Sequence, residues 1–134
     1  MQIGEVAERT GLSLRTIRYY EEVGLVAPSS RTQGGFRLYT EQDVERLLVI
    51  KRMKPLEFSL GEMRELLSTL DQLADLDDDK QPRERDTLLA RLSMYRQAAD
   101  ARCEALRAQL GNAEEFAEGL KRELTRRQRS AGRR

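Results

Sequence analysis

The sequence predicts a mainly α-helical chain, with a winged helix-turn-helix domain at the N-terminus followed by a long dimerisation helix. Three observations predict it. Residues 3–39 place two short helical segments and a Gly-Gly hairpin in one compact stretch. Arg and Tyr are interleaved along the second segment and again after the hairpin turn. From residue 84 to 127, apolar residues recur with the alternating four-and-three spacing of a coiled-coil seam.

In the first segment Ile3, Val6 and Ala7 recur at helical spacing, and Gly11 is placed to end the helix in the left-handed conformation. Ser13 offers an N-cap oxygen to a second helix from about Leu14 to Glu22, with Gly24 just past its end. Two helices joined by so tight a turn read as a helix-turn-helix. On the second helix, Leu14 and Ile17 are expected to point inward, leaving Arg15, Arg18, Tyr19 and Glu22 on an outer face. A guanidinium can grip a phosphate or the edge of guanine through two bonds, and a tyrosine hydroxyl can reach a phosphate oxygen. Arg and Tyr on an exposed helix face are ordinary by themselves. They gain weight from Arg31, Gly34, Gly35, Phe36, Arg37 and Tyr39, which come next in the chain. The Gly pair suits a turn with positive φ. Strand alternation would set Phe36 and Leu38 toward the core, with Arg37 and Tyr39 outward beside the second helix, the expected recognition helix.

Thr40 is expected to cap a third helix running to about Lys54, with Val44, Leu47 and Leu48 as its buried stripe, before Pro55 interrupts it. Ser59 and Glu62 have the spacing of a capping box for a fourth helix bearing Leu60, Met63, Leu66, Leu67 and Leu70. The boundaries expected are a DNA-binding domain over 1–73, an acidic hinge over 74–83, a coiled-coil helix over 84–127 and a disordered basic tail over 128–134. The hinge carries Asp77, Asp78 and Asp79; a calcium loop would need spaced ligands and a Gly-supported turn, so these read as a solvated linker. The seam runs through Leu89, Leu92, Arg96, Ala99, Cys103, Leu106, Leu110, Ala113, Ala117, Leu120 and Leu124, apolar except at Arg96. A helix with such a seam in water needs a partner. A break at Gly111-Asn112 is the competing possibility, but the seam stays in phase across it.

The stretch TGLSLRTIRYYEEVGLVAPSSRTQGGFRLYTEQDVERLLVIKRMK, with LEFSLGEMRELL after it, resembles the DNA-binding domain of the MerR family of bacterial transcription regulators. The likeness covers roughly residues 2–70 and rests on T-I-R-Y-Y-E, G-G-F-R-x-Y and D-V-x-R-L. It implies a homodimer joined by an antiparallel coiled coil and binding to an inverted repeat in double-stranded promoter DNA. It also implies activation through distortion of an over-long promoter spacer, with RNA polymerase as a partner. By matching positions, the DNA-binding residues would be Arg15, Thr16, Arg18, Tyr19 and Tyr20, with Arg31, Gly35, Arg37 and Tyr39 at the wing. Glu57 departs from the family, which usually has Gly before Phe-Ser, so the turn between the third and fourth helices is where this chain should differ.

Composition bounds the rest. The 134 residues allow one domain plus an extension, and 35% charged against 39% hydrophobic residues favours an exposed helical arm over one large core. Net charge is +1, but residues 1–55 carry nine basic and seven acidic side chains, residues 56–87 four and ten, and residues 88–134 eleven and six. Between Leu12 and Tyr39 there are four Arg and two Glu, the local excess that phosphate neutralisation requires. The longest apolar run, Leu47 to Ile50, is far short of a membrane span, and the chain starts without a signal peptide's apolar stretch, so a cytoplasmic, nucleoid-associated protein is expected. No phosphate loop, nucleophile elbow or metal triad appears and His is absent, which argues against an enzyme and against a metal or other cofactor. The one cysteine, Cys103, reads as a small hydrophobe in the seam; a redox cross-link across a dimer dyad is the sharper alternative. The functional expectation is a sequence-specific transcription regulator. Alternatives are a repressor at the same kind of site, an architectural DNA-binding protein, or a coiled-coil adaptor with secondary DNA binding.

Overall fold

A computed structural model describes residues 1–27, 30–77 and 80–132 of the chain. Asp78 and Asp79 of the acidic hinge, and Arg133 and Arg134 of the basic tail, lie outside the described residues. The elements in order are α1 (Ile3–Thr10), α2 (Leu14–Glu22), β1 (Ser30–Arg31), β2 (Arg37–Leu38), α3 (Glu41–Met53), a 3₁₀ turn (Lys54–Leu56), α4 (Leu60–Asp75) and α5 (Pro82–Gly132). They divide into two units, Met1–Tyr95 and Arg96–Arg134.

The helix starts in the first unit follow local chemistry. The Ser13 side chain accepts from the Thr16 amide, and Thr40 and Ser59 each open a complete capping box, with Asp43 and Glu62 reaching back to the cap amides. Gly11 ends α1 at φ 73°, and Lys51 Nζ donates to the Thr10 carbonyl at 2.7 Å, satisfying a terminal acceptor at the helix's negative end.

The core of this unit gathers one stripe from each helix. Val6 of α1, Ile17 and Tyr20 of α2, Val44, Leu47, Ile50 and Met53 of α3, and Met63 and Leu67 of α4 are buried, together with Leu25, Val26 and Phe58 from the connections. Leu48, expected in the α3 stripe, is only half-buried; Ile50 and Met53 continue the stripe from Leu47 instead. Leu14, expected inward, is exposed, because the stripe of α2 begins one turn later with Ile17 and continues to Tyr20. Leu88 of α5 is buried in this unit, and Tyr95 donates to Glu65 at 2.8 Å while its ring meets Phe58.

The expected boundaries shift. Helix α4 extends to Asp75 and α5 begins at Pro82, so the non-helical hinge is shorter than 74–83. Pro82 opens α5 where a missing amide costs nothing, since the first turn has no partner for it. At the other end α5 passes through Gly111 unbroken and continues to Gly132, so the described part of the expected disordered tail is helical. Glu123 pairs with Arg126 and Arg127 one turn on, which supports the helix up to residue 127. Among the described residues no helix is long and apolar enough to cross a membrane.

Candidate nucleic-acid interface

The exposed face of α2 carries Arg15, Arg18, Tyr19 and Glu22. Tyr19 is 45% exposed and tilts against Tyr20, with ring centroids 5.7 Å apart. Among the described residues no hydrogen bond or ion pair engages the guanidinium of Arg15 or Arg18. Both are therefore free to meet an anion. Thr16 is half-buried, and its Oγ1 accepts from the Ser13 hydroxyl at 2.8 Å, so its hydroxyl belongs to the helix cap.

The position of α2 is set by arginines on its neighbours. Arg64 Nη2 of α4 donates to the Val23 carbonyl at 2.6 Å. Arg46 of α3 donates through Nε to the Leu25 carbonyl at 2.7 Å and through Nη1 to both Asp71 oxygens. These contacts satisfy carbonyls at and beyond the C-terminal end of α2, where cations are favourable. They tie the helix to α3 and α4 from behind and leave its outer face open.

The wing is a two-stranded antiparallel hairpin pairing Ser30 with Leu38 and Arg31 with Arg37. Its turn is closed by the Gly35 amide donating to the Thr32 carbonyl and the Phe36 amide to Thr32 Oγ1. Of the Gly pair only Gly35 has positive φ, at 83°. Gly34 serves packing: a Cβ there would stand 3.3 Å from the Phe36 ring. Arg31 is exposed and donates to the Gly35 carbonyl at 3.1 Å, bracing the turn.

Alternation past the turn is the reverse of the expectation at two positions. Phe36 is 64% exposed, whereas Tyr39 is 2% exposed. Each strand is only two residues long, so neither Phe36 nor Tyr39 lies within it and period-two alternation does not govern them. The Tyr39 amide donates to the Met1 carbonyl at 2.7 Å and the Met1 amino group to the Tyr39 carbonyl at 2.8 Å. This pins the residue at the domain's inner side. Its hydroxyl donates to Glu21 Oε2 at 2.7 Å, and burial together with this bond raises its pKa well above the usual phenol range. Tyr20, 3% exposed, falls on the same stripe as Ile17, three residues earlier, and packs in the core. Tyr20 and Tyr39 therefore brace this face from behind and do not lie on its open surface.

Sequence reasoning missed Glu21. Its side chain is 12% exposed, its Oε1 lies 2.6 Å from Arg37 Nε, and its Oε2 accepts from Tyr39. The Arg37 contact is an ion pair without hydrogen-bond alignment, and Nε is buried. The signal was present as Glu21 beside two aromatics and one residue past Tyr20, but the pairing crosses from α2 to the wing and has no local spacing to reveal it. Among the described residues no cluster of His, Cys, Asp or Glu could hold a metal ion.

This arrangement, an open Arg-Tyr helix face beside a braced basic wing, coincides with a family match. A family model described as MerR HTH family regulatory protein matches residues 1–70. The chain belongs to the MerR family. Two curated relatives are similar to about half of the chain. The mercuric resistance operon regulatory protein of Bacillus cereus is 46% identical over 71 residues, covering 53% of this chain and 54% of the relative. The HTH-type transcriptional regulator YfmP of Bacillus subtilis is 50% identical over 74 residues, covering 54% and 53%. This MerR-family chain thus spans about half the length of the curated relatives it matches. Its fold also matches a solved structure described as HiNmlR, a MerR family regulator lacking the sensor domain, bound to promoter DNA. That match has a TM-score of 0.66 and 22% identity, over 86% of this chain and 78% of the other.

Proposed function

We propose that this chain is a sequence-specific DNA-binding transcription regulator that works as a homodimer on an inverted-repeat promoter site. The observation that carries the reading is the α2 face, where Arg15, Arg18 and Tyr19 stand exposed and two guanidiniums have no protein partner beside a basic hairpin. In a major groove such a face supplies bidentate donors for phosphate or guanine, while Arg31, Arg37 and the Gly35 backbone at the wing approach the adjoining sugar-phosphate backbone. The corrected contact set is Arg15, Arg18, Tyr19, Arg31, Gly35 and Arg37; Thr16 caps the helix, and Tyr20 and Tyr39 hold the surface in place.

The second half of the reading is dimerisation. Leu106, Leu110, Leu120 and Leu124 are exposed on α5, a spacing that forms one stripe along a single helix. Leaving that stripe in water is unfavourable, at roughly 25 cal/mol per Å² of apolar surface, and pairing with a second copy removes it. Twofold symmetry would present two recognition helices to two half-sites of an inverted repeat. The family's names are those of regulators, which favours control of a promoter, with RNA polymerase as the downstream partner, over the architectural and adaptor readings. Activation by distorting an over-long spacer is the mechanism proposed.

The test is to incubate purified protein with fragmented genomic DNA of its source and sequence what it retains. A small set of fragments sharing an inverted repeat within a promoter spacer supports the proposal. Retention of fragments with no common repeat contradicts it.

A further inference from the structure

The residue that joins the recognition helix to the wing is Glu21, and its geometry has a consequence for how the wing meets DNA. Its carboxylate is nearly buried and divides its two oxygens between Arg37 Nε and the Tyr39 hydroxyl. Tyr39 is buried, and its amide and carbonyl are both bonded to Met1. The carboxylate is therefore placed by its bond from Tyr39, and Arg37 is drawn in turn to the carboxylate by the ion pair at its Nε. The guanidinium is planar and presents separate edges. Contact through the buried Nε leaves the two terminal nitrogens without a partner among the described residues, on a side chain that is 37% exposed.

We infer that Glu21 is a positioning residue, which orients Arg37 through its Nε so that the Nη edge is presented to a DNA phosphate at the wing. The inference rests on the reading of Arg37 as a backbone contact. It goes beyond that reading by giving a carboxylate a favourable part in binding a polyanion. Long-range repulsion between Glu21 and DNA opposes this role, but an ion-paired carboxylate projects little net charge. An arginine already ordered by its own carboxylate loses less rotamer freedom when it meets a phosphate, whereas a free one must be ordered at that moment.

The two effects make opposite forecasts for Glu21→Gln. If Glu21 only repels DNA, removing its charge raises affinity, most at low salt where the repulsion is least screened, so the salt dependence becomes steeper. If Glu21 orients Arg37, affinity falls by about tenfold, and the slope of log affinity against log salt becomes shallower by roughly one, as for losing one phosphate contact. The experiment measures affinity of the full chain for duplex DNA carrying its retained site, over a range of salt, for wild type, Arg37→Ala, Glu21→Gln and the double variant. Thermal melting of each protein is measured alongside. The expected result is that Arg37→Ala and Glu21→Gln each lose about tenfold with the shallower slope, and that the double variant is no weaker than either. Such non-additivity is what a merely structural role would not produce.

Glu21→Asp keeps the charge but withdraws it by one methylene, so it too is expected to weaken binding with a shallower slope, and it serves if Glu21→Gln does not fold. Unchanged or tighter binding by folded Glu21→Gln or Glu21→Asp, with Arg37→Ala still impaired, overturns the inference and leaves the interface reading intact. An Arg37→Ala protein that binds as wild type does overturns the reading of Arg37 itself, and the inference with it.

Discussion

At the scale of single residues, the interface depends on tyrosines that do not touch its outer surface. A tyrosine carries a large apolar ring and one polar atom, so the same letter in a sequence suits a core position or a contact with phosphate. At Tyr19 the ring is exposed, while at Tyr20 and Tyr39 it is buried; only Tyr20 could have been placed from spacing, because it follows Ile17 by one turn. Val6, Ile17 and Leu47 were legible because helical periodicity alone marks them. Tyr39 was not, since its burial is fixed by Met1 and Glu21, one distant in sequence and the other on a different element. Tyr39→Phe is expected to lower stability by about 1.5–3 kcal/mol, the range for a hydrogen bond to a charged partner, in a denaturant titration. The same bond sets an alkaline limit. The unfolded chain loses the tyrosine proton near pH 10, the folded chain only at higher pH, so stability falls progressively as the pH rises above about 10. Tyr95, pushed up to about 12 by burial and by its bond to Glu65, adds to the same loss. Wild-type stability is thus expected to hold below pH 10 and to fall above it, with a shallower fall in Tyr39→Phe; equal slopes in the two proteins would contradict the assignment.

Elements were the most legible scale, because caps and breakers act over three or four residues. Ser13, Thr40 and Ser59 mark three helix starts, and each cap is made as its spacing demands. The hairpin was found from its glycines, but the side chains beside it were misplaced because its strands are too short to impose alternation. The far end of α5 was misplaced for a different reason: a run of basic residues suggested a frayed tail, whereas the helix continues to Gly132. At the turn between the 3₁₀ segment and α4 the residue that sequence singled out is Glu57. Glu57 adopts φ 63° and ψ 31°, a left-handed conformation that costs an L side chain roughly 1–2 kcal/mol. Glycine has no such penalty, although it loses more freedom on folding, by about 0.5–1 kcal/mol. Glu57→Gly is therefore expected to stabilise the first unit by about 0.5–1 kcal/mol, read as a raised midpoint in chemical denaturation. A lowered midpoint would show that the Glu57 side chain makes contacts that outweigh its backbone strain.

For the molecule as a whole, the heptad spacing of α5 was legible, but which surface it faces was not, since Leu88 and not a seam residue is what the helix buries in the first unit. The leucines from Leu106 to Leu124 are exposed, and in the proposed dimer a second copy would cover them. Leu110→Glu with Leu120→Glu is expected to convert a dimer to a monomer in analytical ultracentrifugation and to weaken binding to a two-half-site duplex far more than to a single half-site. A double variant that still sediments as a dimer would place the dimer contact elsewhere. If binding works by distorting DNA, shortening the promoter spacer by about two base pairs is expected to make transcription independent of the protein, because the twist it corrects is then absent. Beneath both lies the claim that the open face of α2 reads the duplex. The most direct test of it is the affinity of Arg18→Ala for the retained DNA site, measured across salt concentrations and against a mutated site. A loss of about 1–3 kcal/mol is expected, with weaker discrimination between the sites if Arg18 reads a base or a shallower salt slope if it holds a phosphate. Affinity, discrimination and slope all equal to those of the wild type would contradict the placement of α2 in the groove.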